Sequence, residues 1–436
     1  MEQLEQHTLF ELERNLNFHS GWKKKRLKDV AKILNGATPA SEIEEYWDGD
    51  IVWFTPDDLG KNDTKTISGS NRKITLEGYN NCGATIFSKG SIILSTRAPI
   101  GHLAISTVEG CTNQGCRGIV PTKKIDVTFL YYYLFSTKED LAALGRGTTF
   151  KELAGDELKS FYIPLLSFKE QQRIAAYLDK RTSIIDRMIE NKGRQLEKLT
   201  QLRLITITNA VTKGLDSKVK MKDSGVVSLG KIPQHWKVKR IKNLLSEDPQ
   251  YGANEETGET NPNYPRYIRI TDITSEGTLR EETFTSLPPE IAKDYMLKKG
   301  DVLLARSGAT VGKAFRYDTS WGECCFAGYL IRFVSNPKIL NSDFLYLFTQ
   351  SYAYDCWIKS SFIQSTIQNV SAEKYVNMRI AVPPIEEQTT ILNSLQKKLS
   401  PINDLIQNVE IQMDKLMDSR KIIINDAVTG KTKIAS

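Results

Sequence analysis

The chain has only four histidines and six cysteines in 436 residues, which leaves little material for a metal centre. The cysteines (Cys82, Cys111, Cys116, Cys324, Cys325, Cys356) form no Cys-x-x-Cys pair, and His7, His19, His102 and His235 do not cluster with them. Reduced, packed thiols are therefore expected, not zinc or a disulfide framework. No apolar run is long enough to span a bilayer, and the acidic, polar start (Met1-Glu2-Gln3-Leu4-Glu5) lacks the basic and apolar regions of a signal peptide. The expected location is the cytoplasm.

Catalytic signatures are missing as well. A phosphate-binding loop needs Gly, four residues, then Gly-Lys-Ser/Thr; Gly430-Lys431-Thr432 has Asn425 at the first glycine, and Gly308 to Lys313 has three spacers followed by Ala314. There is no dinucleotide glycine fingerprint after a strand, no Asn/Asp-Pro-Pro-aromatic run to hold a flipped adenine, and no Gly-x-Ser-x-Gly elbow. These absences together favour a non-catalytic chain. Two alternatives stay open, a nuclease or methyltransferase with an unread site and a coiled-coil scaffold.

What is present is ordinary globular material, 40% hydrophobic and 25% charged, with a net charge of +7. The length suggests about two to four domains, and the positive excess leans toward a polyanionic partner, nucleic acid first.

The chain also says nearly the same thing twice. Glu170-Gln171 opens a segment running to Thr212, and Glu387-Gln388 opens another running to Thr429, 387 − 170 = 217 residues later. Ile174/Ile391, Leu178/Leu395, Ile185/Ile402, Gln195/Gln412, Leu199/Leu416 and Arg203/Arg420 are identical at that offset. Such a period is far longer than a solenoid repeat and marks a duplicated domain.

Apolar residues at spacings of three and four (Ile174, Leu178, Ile185, Leu196, Leu199; Ile402, Val409, Met413, Leu416, Ile423) make both segments amphipathic helices of about 43 residues, roughly 65 Å long. Two such seams most simply pack together as a coiled coil. The alternative is that each covers its own domain, and Pro401 threatens to break or kink the second.

Upstream of each helix the repeat is fainter. Trp22 to Asp29 matches Trp236 to Asn243, Trp53 to Asp58 matches Tyr267 to Asp272, Gly90 to Ser95 aligns with Gly300 to Ala305, and Phe129 with Phe344. Short β-rich runs alternate there with turn signals and short helices. The expected fold is α+β: two duplicated mixed α/β domains with two long helices. The boundaries are an extension over 1–20, domain one over 21–165, helix one over 166–213, a polar joint over 214–235, domain two over 236–383 and helix two over 384–430.

Candidate binding residues sit on turns. Arg97 (with Thr96) and Arg306 (with Ser307, Thr310) occupy corresponding post-strand loops; Arg grips guanine edges or phosphates bidentately, and Asn and Gln match adenine. Arg72, Lys73, Asn113, Gln114, Arg146, Arg266, Arg269, Lys313, Gln364 and Gln368 lie in comparable contexts. A solvated surface role competes with base contact for each. The run Lys23 to Arg26 could follow a phosphate backbone or simply solvate an edge strand. Trp53, Tyr131 to Tyr133 and Trp357 read as core.

Met221 to Ile241, with Gly230-Lys231-Ile232-Pro233 and Trp236, resembles the segment opening the second target-recognition domain of type I restriction-modification specificity subunits. Gly21-Trp22 with Gly36-Ala37-Thr38-Pro39 resembles the opening of the first, and Val382 to Gln388 resembles the start of the helical spacer. The likeness runs from about Gly21 to Thr432. It departs at Leu166-Ser167, where the second copy has Pro383-Pro384, and in the extra piece before Ser20.

The resemblance implies two target-recognition domains at opposite ends of an antiparallel spacer coiled coil with pseudo-twofold symmetry. Each would read one half of a bipartite, asymmetric site in double-stranded DNA. The spacers would set the gap and dock methyltransferase subunits, with Ile174, Leu178, Leu199, Ile391, Leu395 and Leu416 as the docking candidates. S-adenosylmethionine, ATP and Mg would belong to the methyltransferase and restriction subunits, and this chain would bind no cofactor.

Overall fold

The computed structural model describes residues 19, 21–146, 151–256, 260–274, 277–361 and 369–434. All of the N-terminal extension except His19, and the candidates Gln364 and Gln368, lie outside them. Two compact units form, residues 1–192 with 412–436 and residues 193–411. Each long helix, Phe168–Lys213 and Ile385–Val428, thus contributes one end to each unit.

The first unit carries a five-stranded sheet in the order Ala31–Asn35, Cys116–Pro121, Ile92–Ser95, Leu103–Ser106, Thr66–Ile67, and a three-stranded sheet centred on Trp47–Phe54. The second carries a four-stranded sheet in the order Gln250–Tyr251, Leu330–Phe333, Val302–Ala305, Ala314–Arg316, with Arg266–Ile268 paired in parallel to Cys324–Phe326. In both, an antiparallel ribbon joins the opening strand to the strand before the long helix: Lys23–Arg26 with Tyr162–Leu165, and Lys237–Arg240 with Arg379–Val382.

Within each unit the helical segments run antiparallel. In the first, Ile174 and Leu178 share a core with Ile424, Ala427 and Val428, while Asp186 meets Arg420 at 2.8 Å. In the second, Ile207, Ala210 and Val211 share a core with Ile391, Leu395 and Leu399, while Arg203 meets Asn403 at 3.1 Å. The two pairs are the same pair made twice, since 203 + 217 = 420 and 186 + 217 = 403.

Pro401 does not break its helix. The residue is exposed, so the carbonyl one turn earlier that loses its N–H partner faces solvent, and the helix continues from Ile385 to Val428.

The helix starts are fixed by a buried amide. Gln171, fully buried, accepts from the Asp126 N–H at 2.7 Å and donates to the Leu166 and Lys124 carbonyls at 2.9 and 3.0 Å. Gln388 repeats this on Asn341 N–H, Pro383 and Ile339 at 2.8, 3.0 and 2.9 Å. Replacing Leu166-Ser167 by two prolines therefore leaves the geometry unchanged, because the clamp uses only carbonyls there. The helix ends are fixed by Gly214 and Gly430, at φ +75 and +77°, where a Cβ would also press on the Trp236 and Trp22 rings at 3.3 and 3.0 Å.

The expected core aromatics are buried at Trp53, Tyr131, Tyr132 and Tyr133, and Trp357 is partly buried. Cys111, Cys324 and Cys325 are buried free thiols, and burial pushes each up to about 12.

Candidate nucleic-acid interface

In the first unit the loops of Gly115 and Leu153 both bond to Thr96. The strand Ile92–Ser95 runs into Thr96, whose N–H donates to the Gly115 carbonyl at 2.8 Å and whose hydroxyl donates to it at 3.3 Å. The Thr96 carbonyl accepts from Leu153 N–H at 2.8 Å. Thr96 is thus fully buried and closed to any groove, contrary to the expectation for it, because its polar atoms hold the loops together. Alternation along the strand turns Arg97 outward, about half exposed, with Nε 3.0 Å from Glu152 Oε2.

Beside it the Gly36-Ala37-Thr38 loop lies so close to Asn113 that a Cβ at Gly36 would stand 1.9 Å from the Asn113 carbonyl. Trp53 Nε1 donates to the Ala37 carbonyl at 2.9 Å, which holds this loop against the sheet. Asn113 accepts Gly115 N–H at 2.9 Å through its side chain, so it shapes the turn, while exposed Gln114 hydrogen-bonds to Thr38 Oγ1. Arg72 stacks 3.5 Å over the Trp47 ring, and Trp47 Nε1 reaches the Ala40 carbonyl at 3.3 Å. Lys73 is exposed in the next strand, and Arg146, 74% exposed, pairs with Glu157 at 2.7 Å.

The second unit repeats the scaffold with other side chains. Tyr267, 214 residues after Trp53 (267 − 53), donates its hydroxyl to the Ala253 carbonyl at 2.8 Å, and burial raises its phenol above the ordinary value, so it remains a donor. Below both aromatics a carboxylate caps the same turn. Asp58 accepts the Thr55 N–H at 2.8 Å, and Asp272 accepts the Arg269 N–H at 2.8 Å.

Arg269 is consumed there, with Nη2 2.9 Å from Asp272 Oδ1 and 3.0 Å from the Thr283 carbonyl. Arg266 is 5% exposed and held by Glu281 and the Arg280 carbonyl. Neither expectation of a groove contact fits such internal bonding. Lys313 donates to the Ile273 carbonyl at 2.5 Å, and Thr310 closes a turn by accepting Lys313 N–H at 3.0 Å.

The loops of Arg97 and Arg306 correspond, but the two arginines do not. Arg306 N–H donates to Tyr329 O and its carbonyl accepts Val370 N–H, the bonds Thr96 makes to Gly115 and Leu153. Arg97 bridges Glu152 as Ser307 bridges Asn369. Arg306 therefore occupies the inward position, half-buried with its guanidinium 4.8 Å over the Tyr251 ring, and Ser307 occupies the outward one.

The docking candidates are corrected too. Ile174, Leu178, Ile391 and Leu395 are buried in their own units' cores, and Leu199 and Leu416 are half-buried, so the seam is used within the chain. Exposed apolar residues of the helices include Ile184, Met188, Leu202, Ile205, Leu405, Met417 and Ile422.

A family model described as the type I restriction modification DNA specificity domain matches residues 19–200 and again 233–413. The chain belongs to that family. The specificity subunit of the type I restriction enzyme MjaIX from Methanocaldococcus jannaschii is 31% identical over 424 residues, 95% of this chain and 94% of that one. The MjaVIII specificity subunit of the same organism is 22% identical over 95% and 93%. A chain solved in work on complex assembly and conformational transition of the type I R-M system shares the fold at TM-score 0.67 and 17% identity, covering 95% of this chain and 99% of that one.

The family domain occurs twice in this chain, and the duplication shows which tip residues sequence reading passed over. Thr38 and exposed Asn254 follow the paired Gly-Ala dipeptides (Gly36-Ala37 and Gly252-Ala253), and Tyr329 stands 65% exposed beside Arg306. The repeated Gly-Ala pair was the available signal.

Proposed function

We propose that this chain is the DNA specificity subunit of a type I restriction-modification complex, each unit reading one half of a bipartite site. The observation that carries this reading is the duplicated scaffold: Trp53 and Tyr267 each hold a Gly-Ala loop, and the tips they present differ, Thr38, Gln114 and Arg97 in one unit against Asn254, Tyr329 and Ser307 in the other. One backbone frame with two sets of donors and acceptors suits two different half-sites. Arg72, Lys73 and Arg146 supply charge for the phosphates around the first tip.

In this reading the long helices set the gap between half-sites and their exposed apolar residues dock methyltransferase subunits. Those subunits carry S-adenosylmethionine, and restriction subunits carry ATP and Mg. The chain itself performs no chemistry, acts in the cytoplasm, and divides at the boundaries given above.

The test is to map N6-methyladenine in cells expressing this chain with a type I methyltransferase subunit, against cells expressing the methyltransferase alone. A chain-dependent bipartite motif is expected. Methylation that is identical in both strains would overturn the reading.

A further inference from the structure

We propose that the second unit holds a phosphate-binding cleft, more basic than the matching surface of the first, that grips the DNA backbone without reading sequence. It lies beside the ribbon Lys237–Arg240/Arg379–Val382, has a volume of about 400 Å³, and is lined by Lys239, Arg240, Lys242, Arg379, Ser224 and Asn243. Arg240 and Arg379 stand directly opposite each other across the antiparallel pair, both exposed. Like charges in that position oppose pairing unless something neutralises them. Among the described residues no carboxylate lies within 4 Å of these two arginines, Lys239 or Lys242.

The first unit shows what neutralisation looks like. Its ribbon has Lys25, Arg26 and Lys28 in the matching places, but Tyr162 stands opposite Arg26, and Asp29 Oδ2 lies 3.6 Å from Arg26 Nε. Asn243 takes the place of Asp29, and Arg379 takes the place of Tyr162 (162 + 217 = 379). One acid is lost and one base gained at a single spot, so three bases facing one acid in the first unit become four bases facing none among the lining residues of the second.

An oxyanion with several acceptor oxygens fits between two guanidinium forks and two ammonium groups. The small cleft suits a single phosphodiester better than a folded acidic partner. The inference rests on the DNA-reading function proposed above, and adds that the two half-sites are held with unequal electrostatic grip.

The experiment compares the full chain with Asn243→Asp and Arg379→Tyr, each copying a residue the first unit already tolerates, with thermal melting as a check on folding. Affinity for random-sequence duplexes and for the mapped motif is measured by fluorescence anisotropy over a salt series. Each variant should lose about tenfold in affinity on every duplex, with the slope of log affinity against log salt falling by about 1.

Unchanged affinity and slope in both variants would overturn the cleft, as would a loss confined to one sequence. Wild-type chain that binds no duplex would instead overturn the DNA-reading function, and the cleft's assignment with it. If inorganic phosphate raised the melting temperature of the wild type but not the variants while duplex binding stayed equal, the ligand would be free phosphate and not DNA. Loss of a methyltransferase subunit with DNA binding intact would assign the cleft to an acidic protein and overturn the proposal.

Discussion

In the first unit the Gln171 amide ties the helix start to Lys124, Asp126 and Leu166; in the second, Gln388 ties it to Ile339, Asn341 and Pro383. Trp53 sends an N–H to the Ala37 carbonyl and Tyr267 an O–H to its counterpart, the Ala253 carbonyl. Yet Arg97 stands where the second unit has Ser307, and buried Thr96 where it has Arg306. Buried hydrogen bonds are alike across the duplication and exposed tips are not. A buried polar group must keep a partner, whereas a solvated tip costs little to exchange.

The strongest way to break the comparison is at the clamp. Gln171→Ala and Gln388→Ala each strand buried backbone groups, and each should cost about 3 kcal/mol in its own unit. Urea unfolding of the full chain, followed by probes in each unit, should show one transition moving for each variant by a similar amount. Very unequal losses would mean the clamps are alike only in geometry.

Base reading should separate the units instead. Arg97→Ala is expected to relax one half-site by about 2 kcal/mol of discrimination, seen as a more permissive methylation motif on that side alone. Its counterpart by hydrogen-bond register is Ser307→Ala, with a smaller effect on the other side. Arg306→Ala, half-buried over Tyr251, should lower stability along with recognition. Equal loss on every sequence with Arg97→Ala would make that residue a phosphate grip.

The loop props come next. Tyr267→Phe removes one buried donor to Ala253 and should cost about 1 kcal/mol, with Trp53→Phe costing more because it also opens a cavity. Both should loosen half-site preference without changing the gap. A changed gap would sink the assignment of these loops to the tips.

Much of this frame was legible in the sequence because duplication is self-evident: the 217-residue offset marked both helices, and the Asp58/Asp272 and Trp53/Tyr267 matches marked the same turn. Individual contacts were not. Whether Thr96 or Arg97 faces outward depends on one residue of strand register, and a single slip exchanges buried and exposed faces. Arg266 and Arg269 carry the same charge as Arg97, and only the fold shows that Glu281 and Asp272 consume them. The helix seam gave the periodicity of an interface but not the identity of what it packs on, so four of the six residues assigned to a partner, Ile174, Leu178, Ile391 and Leu395, proved to be core.

The smallest expected effect lies on the helices. Arg420 pairs with the carboxylate of Asp186 and lies 5.2 Å over the Phe135 ring, whereas Arg203 meets the neutral amides of Asn403 and Gln350 at 3.1 and 2.6 Å. The contact is duplicated, with the Asn403 amide standing where the first unit has the Asp186 carboxylate. Because Asp186 is half exposed, its ion pair is worth less than about 1 kcal/mol and is screened by salt. Asp186→Asn should therefore lower the first unit's stability slightly at low salt and not at all at high salt. Asn403→Asp should give the second unit the salt dependence that the first has lost. A loss of several kcal/mol, independent of salt, would show that the Asp186 carboxylate supports packing that its amide counterpart does not.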